Sequence, residues 1–355
     1  MQKLRLLLLP ISLIYGLVVI IRNWCYDVGL FKSTSFNLPV ISVGNLDVGG
    51  SGKTPMTEYL IRLLKQDHQL ATLSRGYGRE TKGFRIATVN SAASEVGDEP
   101  LQLKRKFPDV NVTVCEDRVA GAERLLADND VIILDDAFQH RAIKPGFSIL
   151  LFDYKQIQNF NTFLLPAGNR REPARGRKRA DIIVVTKTPR EADLGELKHV
   201  REKIAPYPHQ QLFFAGIQYQ PLQLNGTATD MVIDKDTTVF LLTGIANPLL
   251  TIHHYLSRYT PRIIHHKYPD HHRFSTKNIA KLADEFAVCT ADKKIIVTTE
   301  KDMQRLGEQD LQSLVAKLTI YTLPIGVEFL NDEGQHFNQL IQNYVRQYTA
   351  HRGLH

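Results

Sequence analysis

The sequence predicts an α/β protein with a parallel sheet. Three observations carry that expectation: short apolar runs of strand character recur along the chain, helix-like stretches alternate with them, and a glycine-rich turn joins an early strand to an amphipathic helix. The runs are Leu38 to Val43, Gln69 to Ser74, Val131 to Asp136, Ile149 to Phe152, Ile182 to Thr186, Val239 to Thr243, Ile295 to Thr299 and Leu318 to Leu323. A chain of 355 residues, 43% of them hydrophobic, buries a full core and has room for two domains or one large one. That composition excludes the disordered and fibrous classes.

The turn reads GNLDVGGSGKT, from Gly44 to Thr54. Gly49, Gly50 and Gly52 let backbone N–H groups point inward without Cβ obstruction, as a phosphate-cradling loop requires. Lys53 is placed to lie along β- and γ-phosphates, and the Thr54 hydroxyl to meet Mg²⁺. Asp47 stands where the GxxxxGK[ST] pattern has its first glycine. The expected nucleotide cradle is therefore Asp47, Val48, Gly49, Gly50, Ser51, Gly52, Lys53 and Thr54. Pro55 opens the helix behind it, where Met56, Tyr59, Leu60, Leu63 and Leu64 recur at helical spacing and the N-terminal dipole faces the phosphates.

Ahead of this loop, Lys3 and Arg5 precede the uncharged run LLLLPISLIYGLVVII, closed by Arg22, Trp24 and Tyr26. No small-residue cleavage site follows, which argues against a signal peptide. About 16 residues at ~1.5 Å each reach ~24 Å of a ~30 Å hydrocarbon core, so the reading is an anchor entering one leaflet. A buried core helix is the alternative. Three scattered cysteines, Cys25, Cys115 and Cys289, fit a reducing compartment with neither a zinc nor a disulfide framework. The excess of seven basic over acidic residues favours an anionic partner.

Further along, Arg75-Gly76-Tyr77-Gly78-Arg79 makes a tight turn at a strand end, where Arg75 or Arg79 is in place to reach phosphate or substrate. Asp98 and Glu99 read by themselves as helix-start carboxylates. VIILDD, from Val131 to Asp136, has the form of a Walker B strand delivering a carboxylate to Mg²⁺; alternation sends Asp135 and Asp136 opposite ways. The loop LLPAGNRREPARGRKR, with Arg170, Arg171, Arg175, Arg177, Lys178 and Arg179, reads as a solvated loop or as an anion trap. Gln218 to Asp236 marks passage into a second lobe. There a histidine oriented by Asp270 is more credible than zinc on His271 and His272, and Thr298 to Asp302 reads as a cap. Thr186-Lys187-Thr188-Pro189 lacks the aspartate of the guanine-reading [NT]KxD, so ATP is preferred. The rival is a membrane-associated P-loop NTPase acting as a targeting or switch GTPase. Basic residues without aromatic interleaving exclude nucleic acid as partner.

Taken in order, GNLDVGGSGKTP, LSRGYGR, VGDEP, DDAFQH, LLPAGNRREP, GIANP, PDHH and TEKD resemble the pattern of the tetraacyldisaccharide 4'-kinase family of lipid A biosynthesis, with Ala137 where the family usually has Gly. The resemblance spans nearly the whole chain. It implies a P-loop NTPase-like α/β/α kinase domain (31–220), a second, smaller α/β lobe (221–355) and an N-terminal membrane-associated helix (1–30). It further implies γ-phosphoryl transfer from ATP to the 4'-hydroxyl of a tetraacylated glucosamine disaccharide 1-phosphate, giving lipid IVA, at the cytoplasmic face of the bacterial inner membrane and with no obligate protein partner. Asp98 is then the expected general base with His271 its partner, and Lys53 acts on the transferred group. Thr54, Glu99 and Asp136 serve Mg²⁺; Arg75, Arg171 and Asp135 are expected substrate contacts.

Overall fold

In the computed structural model, which describes residues 5–158 and 163–352, β1 (Val40–Asn45) is buried along its whole length. Lys3 lies outside the described residues. An unbroken apolar run of this kind belongs in the middle of a sheet covered on both faces. The strands that follow are β2 (Leu70–Ser74), β3 (Arg85–Ile86), β4 (Asn111–Val114), β5 (Val131–Asp135), β6 (Phe147–Asp153), β7 (Ile182–Thr186) and β8 (Gln211–Tyr219). A second sheet takes β9 (Gln223–Leu224), β10 (Thr227–Ala228), β11 (Thr238–Thr243), β12 (Ile263–Lys267), β13 (Lys294–Thr299) and β14 (Ile320–Leu323); β15 is Ile325–Phe329. The larger sheet runs β15-β8-β7-β6-β1-β5-β2-β4-β3 and the smaller β10-β9-β14-β13-β11-β12. Within the larger sheet the pairs from β8 to β4 are parallel, and β15 and β3 are antiparallel edges.

The α/β class is thus as expected, with one correction to the partition. Residues beyond Pro324 were assigned to the second lobe, yet β15 pairs with β8 and the C-terminal helix Gly334–Arg352 packs on the first lobe. Phe337, Ile341, Tyr344 and Val345 on that helix are buried among Ile41, Val43, Met56 and Leu60. The gain is burial of an apolar stripe at about 1.5–3 kcal/mol per large side chain. The chain therefore crosses between lobes twice, and the crossings touch where Gln220 N donates to Pro324 O at 3.0 Å.

Tyr344 fixes the returning helix to the sheet's centre: Val40 N donates to its hydroxyl at 3.1 Å, and that hydroxyl donates to Val40 O at 3.2 Å. Tyr344→Phe is expected to lower stability by about 1–3 kcal/mol, the cost of a buried N–H left without a partner. Urea unfolding of the full chain measures it, and a midpoint equal to the wild type's removes the role.

The N-terminal helix, Leu9–Asp27 with a preceding 3₁₀ turn at Leu6–Leu8, is 22 residues long in all, and within Leu9–Asp27 only Ser12, Gly16, Val19 and Cys25 are buried. Leu7, Leu13 and Ile14 are exposed, which overturns the buried-core alternative. The helix continues past the apolar run through Arg22 to Asp27, and at ~1.5 Å per residue 22 residues reach ~33 Å. Ser12, Gly16 and Val19 form its inner face, and at Gly16 any Cβ would stand 2.8 Å from Leu164 Cδ1.

Candidate active site

The site begins at the carboxyl ends of β1 and β5, neighbours in register with Val43 opposite Asp135. The nucleotide loop leaves β1, turns through positive φ at Gly49 and Gly52, and enters the helix Lys53–Leu64, which buries Met56, Leu60, Ile61 and Leu64. Gly44 is required by a close approach: a Cβ there would lie 2.6 Å from Phe138 Cβ and 2.9 Å from its backbone N.

Not every residue of the expected cradle is free for phosphate. Val48 N donates to Asn169 O at 2.8 Å and Ser51 N to Gly49 O at 3.0 Å, so these two amides are turned away. The preceding Asp47 carries a side chain instead of glycine's hydrogen, and Arg170 Nε approaches its carboxylate at 3.8 Å. Lys187, from the stretch used to judge purine choice, props the loop by donating to Gly50 O and to Asp153 Oδ2, the latter at 2.8 Å. Thr186 Oγ1 donates to Ser51 O at 2.8 Å.

Asp135 and Asp136 separate as alternation requires, but by a sharper device. Asp136 leaves the strand at φ 48°, and Lys53 Nζ stands 3.8 Å and Arg171 Nη1 2.8 Å from its Oδ1. Burial opposes its charge, and Lys53 and Arg171 outweigh burial and hold its carboxyl below the ordinary range. Asp135 was expected to touch substrate. It is instead 2% exposed and accepts from Thr57 Oγ1 at 3.2 Å, beneath the loop's helix. Burial, with Glu99 and Asp136 nearby, pushes its carboxyl up to about 7.

Asp98 and Glu99 open the helix Asp98–Lys106 and meet the second lobe directly. His271 Nδ1 is 3.4 Å from Asp98 Oδ2, and Arg305 donates to the same oxygen from Nη2 at 2.6 Å and Nε at 2.8 Å. Lys301 Nζ donates to Glu99 Oε1 at 2.9 Å and lies 3.2 Å from His271 Nε2. Burial disfavours both charges. Hydrogen bonds from His271 and Arg305 nevertheless hold Asp98 below the usual carboxylate range, and Lys301 with Lys53 does so for Glu99.

The imidazole's partner is therefore Asp98, not Asp270, whose Oδ1 accepts from the backbone N of His271 at 3.1 Å. A left-handed backbone at His271, φ 58°, aims its ring across the cleft. His272 stacks on Tyr268 at 4.6 Å and lies 3.0 Å from Asn278 Oδ1. Lys301 and Arg305 were missed: the stretch from Thr299 was read as a cap, which it is, since Thr299 Oγ1 accepts from Asp302 N at 3.1 Å. Four residues of spacing put both cations on one helix face, and that was the available signal.

The basic loop is mostly committed to structure. Arg179 pairs with Glu172 at 2.8 Å, Lys178 with Asp27 at 3.1 Å, and Arg177 caps Ala174 O. Arg79 pairs with Glu116 at 2.7 Å, while Arg75 is exposed and close enough to depress the already buried Arg118. The N-terminal helix holds the same region: Tyr15 Oη donates to Arg171 O at 2.7 Å, Arg22 Nη2 to Gln139 O at 2.6 Å and Asn23 Nδ2 to Glu172 Oε2 at 3.1 Å.

Among the described residues no three His, Cys, Asp or Glu side chains form a complete metal cage. Mg²⁺ asks less, since one or two carboxylates suffice when phosphate oxygens and waters complete the octahedron. Glu99 and Asp136, both ionised, with the hydroxyl of Thr54, fit that demand.

A glycine-rich loop with its lysine, a Walker B aspartate and a carboxylate–imidazole pair facing across a cleft define a P-loop phosphotransferase. The comparisons with known proteins narrow the class. The family model described as tetraacyldisaccharide-1-P 4'-kinase matches residues 4–346, and the chain belongs to that family. It is 44% identical to tetraacyldisaccharide 4'-kinase of Phocaeicola vulgatus over 97% of this chain and 96% of that one. Identity to the same enzyme of Flavobacterium psychrophilum is 42%, with 99% of each covered. A crystal structure of LpxK from Aquifex aeolicus in complex with ATP superposes with TM-score 0.74 at 30% identity, covering 96% of this chain and 99% of that one.

Proposed function

We propose that this chain moves the γ-phosphoryl group of Mg·ATP to the 4'-hydroxyl of a tetraacylated glucosamine disaccharide 1-phosphate, forming lipid IVA. The observation that carries the reading is the convergence of Asp98 and His271 with Lys53, Glu99 and Asp136 at one cleft between the lobes. Phosphoryl transfer needs mainly positioning and charge neutralisation. Lys53 and the free loop amides hold the transferring phosphates; Thr54, Glu99 and Asp136 would hold Mg²⁺, which when bound would supply further neutralising charge. Asp98 accepts the proton of the acceptor hydroxyl. His271 orients Asp98, and Arg305 and Lys301 fix the carboxylates from the opposite lobe. Arg171 and Arg75 border the acceptor side. A switch GTPase has no use for a base supplied with its partner from a second lobe.

The exposed side of the N-terminal helix supports docking on a bilayer, with Trp24, Leu30 and Phe31 extending the apolar surface. Lifting acyl chains into water costs about 0.8 kcal/mol per CH₂, and a leaflet-docked enzyme avoids that. Its need for ATP favours the cytoplasmic face of the bacterial inner membrane as its place of work. Transfer of label from γ-labelled ATP to the disaccharide lipid, compared with GTP hydrolysis without lipid, tests the assignment; lipid-independent GTP turnover with no labelled lipid overturns it. Deleting the residues before Arg22 is expected to abolish vesicle binding and raise KM for lipid while ATP affinity stays near normal. A truncated chain that partitions and reacts like the whole one removes the anchor.

A further inference from the structure

We propose that Lys106 is a positioning residue that latches the second lobe to the helix behind the nucleotide loop. Its Nζ lies 2.6 Å from Glu58 Oε2 and 2.6 Å from Glu300 Oε1. Glu58 sits on the helix Lys53–Leu64, 1% exposed, and also takes hydrogen bonds from Gln102 Nε2 at 2.9 Å and Arg62 Nη2 at 3.2 Å. Glu300 opens the helix Glu300–Leu306, which carries Lys301 and Arg305, and its second oxygen accepts from Ile325 N at 3.3 Å, where the chain returns to the larger sheet. One ammonium thus ties together the nucleotide helix, the helix that begins with Asp98, the lobe that supplies His271 and the return crossing.

The place of this contact gives it its role. The other ion pairs between the two helices, Asp98 with Arg305 and Glu99 with Lys301, lie inside the reaction site, and the 2.7 Å hydrogen bond from Arg105 to Gln304 beside Lys106 is charged on one side only. The acceptor and the metal compete for those same carboxylates, so they cannot hold the lobes throughout a turnover. Lys106 stands at the far end of its helix, roughly 12 Å from Asp98 by helical rise. Two carboxylates share its charge across the lobe boundary. Without Lys106 the bridge across the lobe boundary is lost, and whatever charge stays on Glu58, which keeps Arg62 and whose carboxyl burial pushes up, repels Glu300.

This sign makes the latch testable, and the turnover arm rests on the proposed phosphotransfer. Full-length Lys106→Met, Glu300→Gln, the double variant and Lys106→Arg are compared by lipid phosphorylation and by small-angle scattering. Lys106→Met is expected to lower kcat by on the order of 10- to 100-fold, as misplacement of a reacting group does, with ATP KM unchanged and a larger radius of gyration. Glu300→Gln, which leaves the Lys106–Glu58 pair intact, loses less. The double variant recovers compactness and turnover relative to Lys106→Met, because the facing charges are gone, and Lys106→Arg retains both. Unchanged kcat in Lys106→Met, loss of ATP binding in step with kcat, or a double variant no better than Lys106→Met would each overturn the latch. A wild-type chain that phosphorylates no lipid sinks the phosphotransfer reading instead, and scattering alone then decides the latch.

Discussion

Lys53→Met is expected to abolish lipid phosphorylation while leaving the fold intact. Its ammonium is mostly shielded from solvent, near Asp136 and within the field that keeps Glu99 ionised. In a closed cleft a fixed charge acts on the transferring group without solvent reorganisation, and removal of even one preorganised donor costs about 10²- to 10³-fold in kcat. A full positive charge sets that as the lower bound. Methionine keeps the stem's length, so packing of the helix Lys53–Leu64 is preserved. Single-turnover transfer at saturating Mg·ATP measures the loss, and a variant within tenfold of wild type would show that the loop does not grip the transferred phosphate.

Asp98→Asn is expected to drop kcat by about 10²- to 10⁴-fold, the range for a positioned general base, with ATP affinity unchanged. Asparagine keeps a carbonyl oxygen for Arg305, so Arg305 keeps its partner and the loss reports proton transfer. Asp98→Ala tests something broader, because it also removes a partner from Arg305, which is buried and keeps Asp302, the carbonyl of Gly244 and a 3.3 Å contact with His271 Nδ1. Equal turnover in Asp98→Asn and wild type removes Asp98 from the mechanism. A large fall in ATP affinity instead would make Asp98 a nucleotide contact.

Much of the first lobe is legible in sequence because its signals are local. GNLDVGGSGKT and VIILDD each carry strand, turn and polar tip within about a dozen residues, so steric and hydrogen-bonding rules act on near neighbours. β8 was missed where Gln211 to Tyr219 precedes the expected crossing, and β15 where Ile325 to Phe329 directly follows another strand. Neither stretch stands apart from its flanks. The basic loop misled for a related reason: charge in a sequence is visible, whereas the carboxylates that neutralise it, Glu172 and Asp27 among them, are identified only by contact.

Residue order alone is enough to give α/β layers, a phosphate loop backed by a helix, and an apolar helix ahead of them. These follow from the periods of 2 and 3.6 residues and from glycine's freedom at fixed positions. It took three-dimensional packing to show that Asp98 meets His271 and Arg305, that Asp136 and not Asp135 turns to Lys53, that the Val48 amide is spent on Asn169, and that the chain's end returns to the first sheet. The Asp98 pairings join residues well over a hundred positions apart. Burial of apolar faces brings such residues together, and no local period along the chain encodes which charges then stand opposite one another.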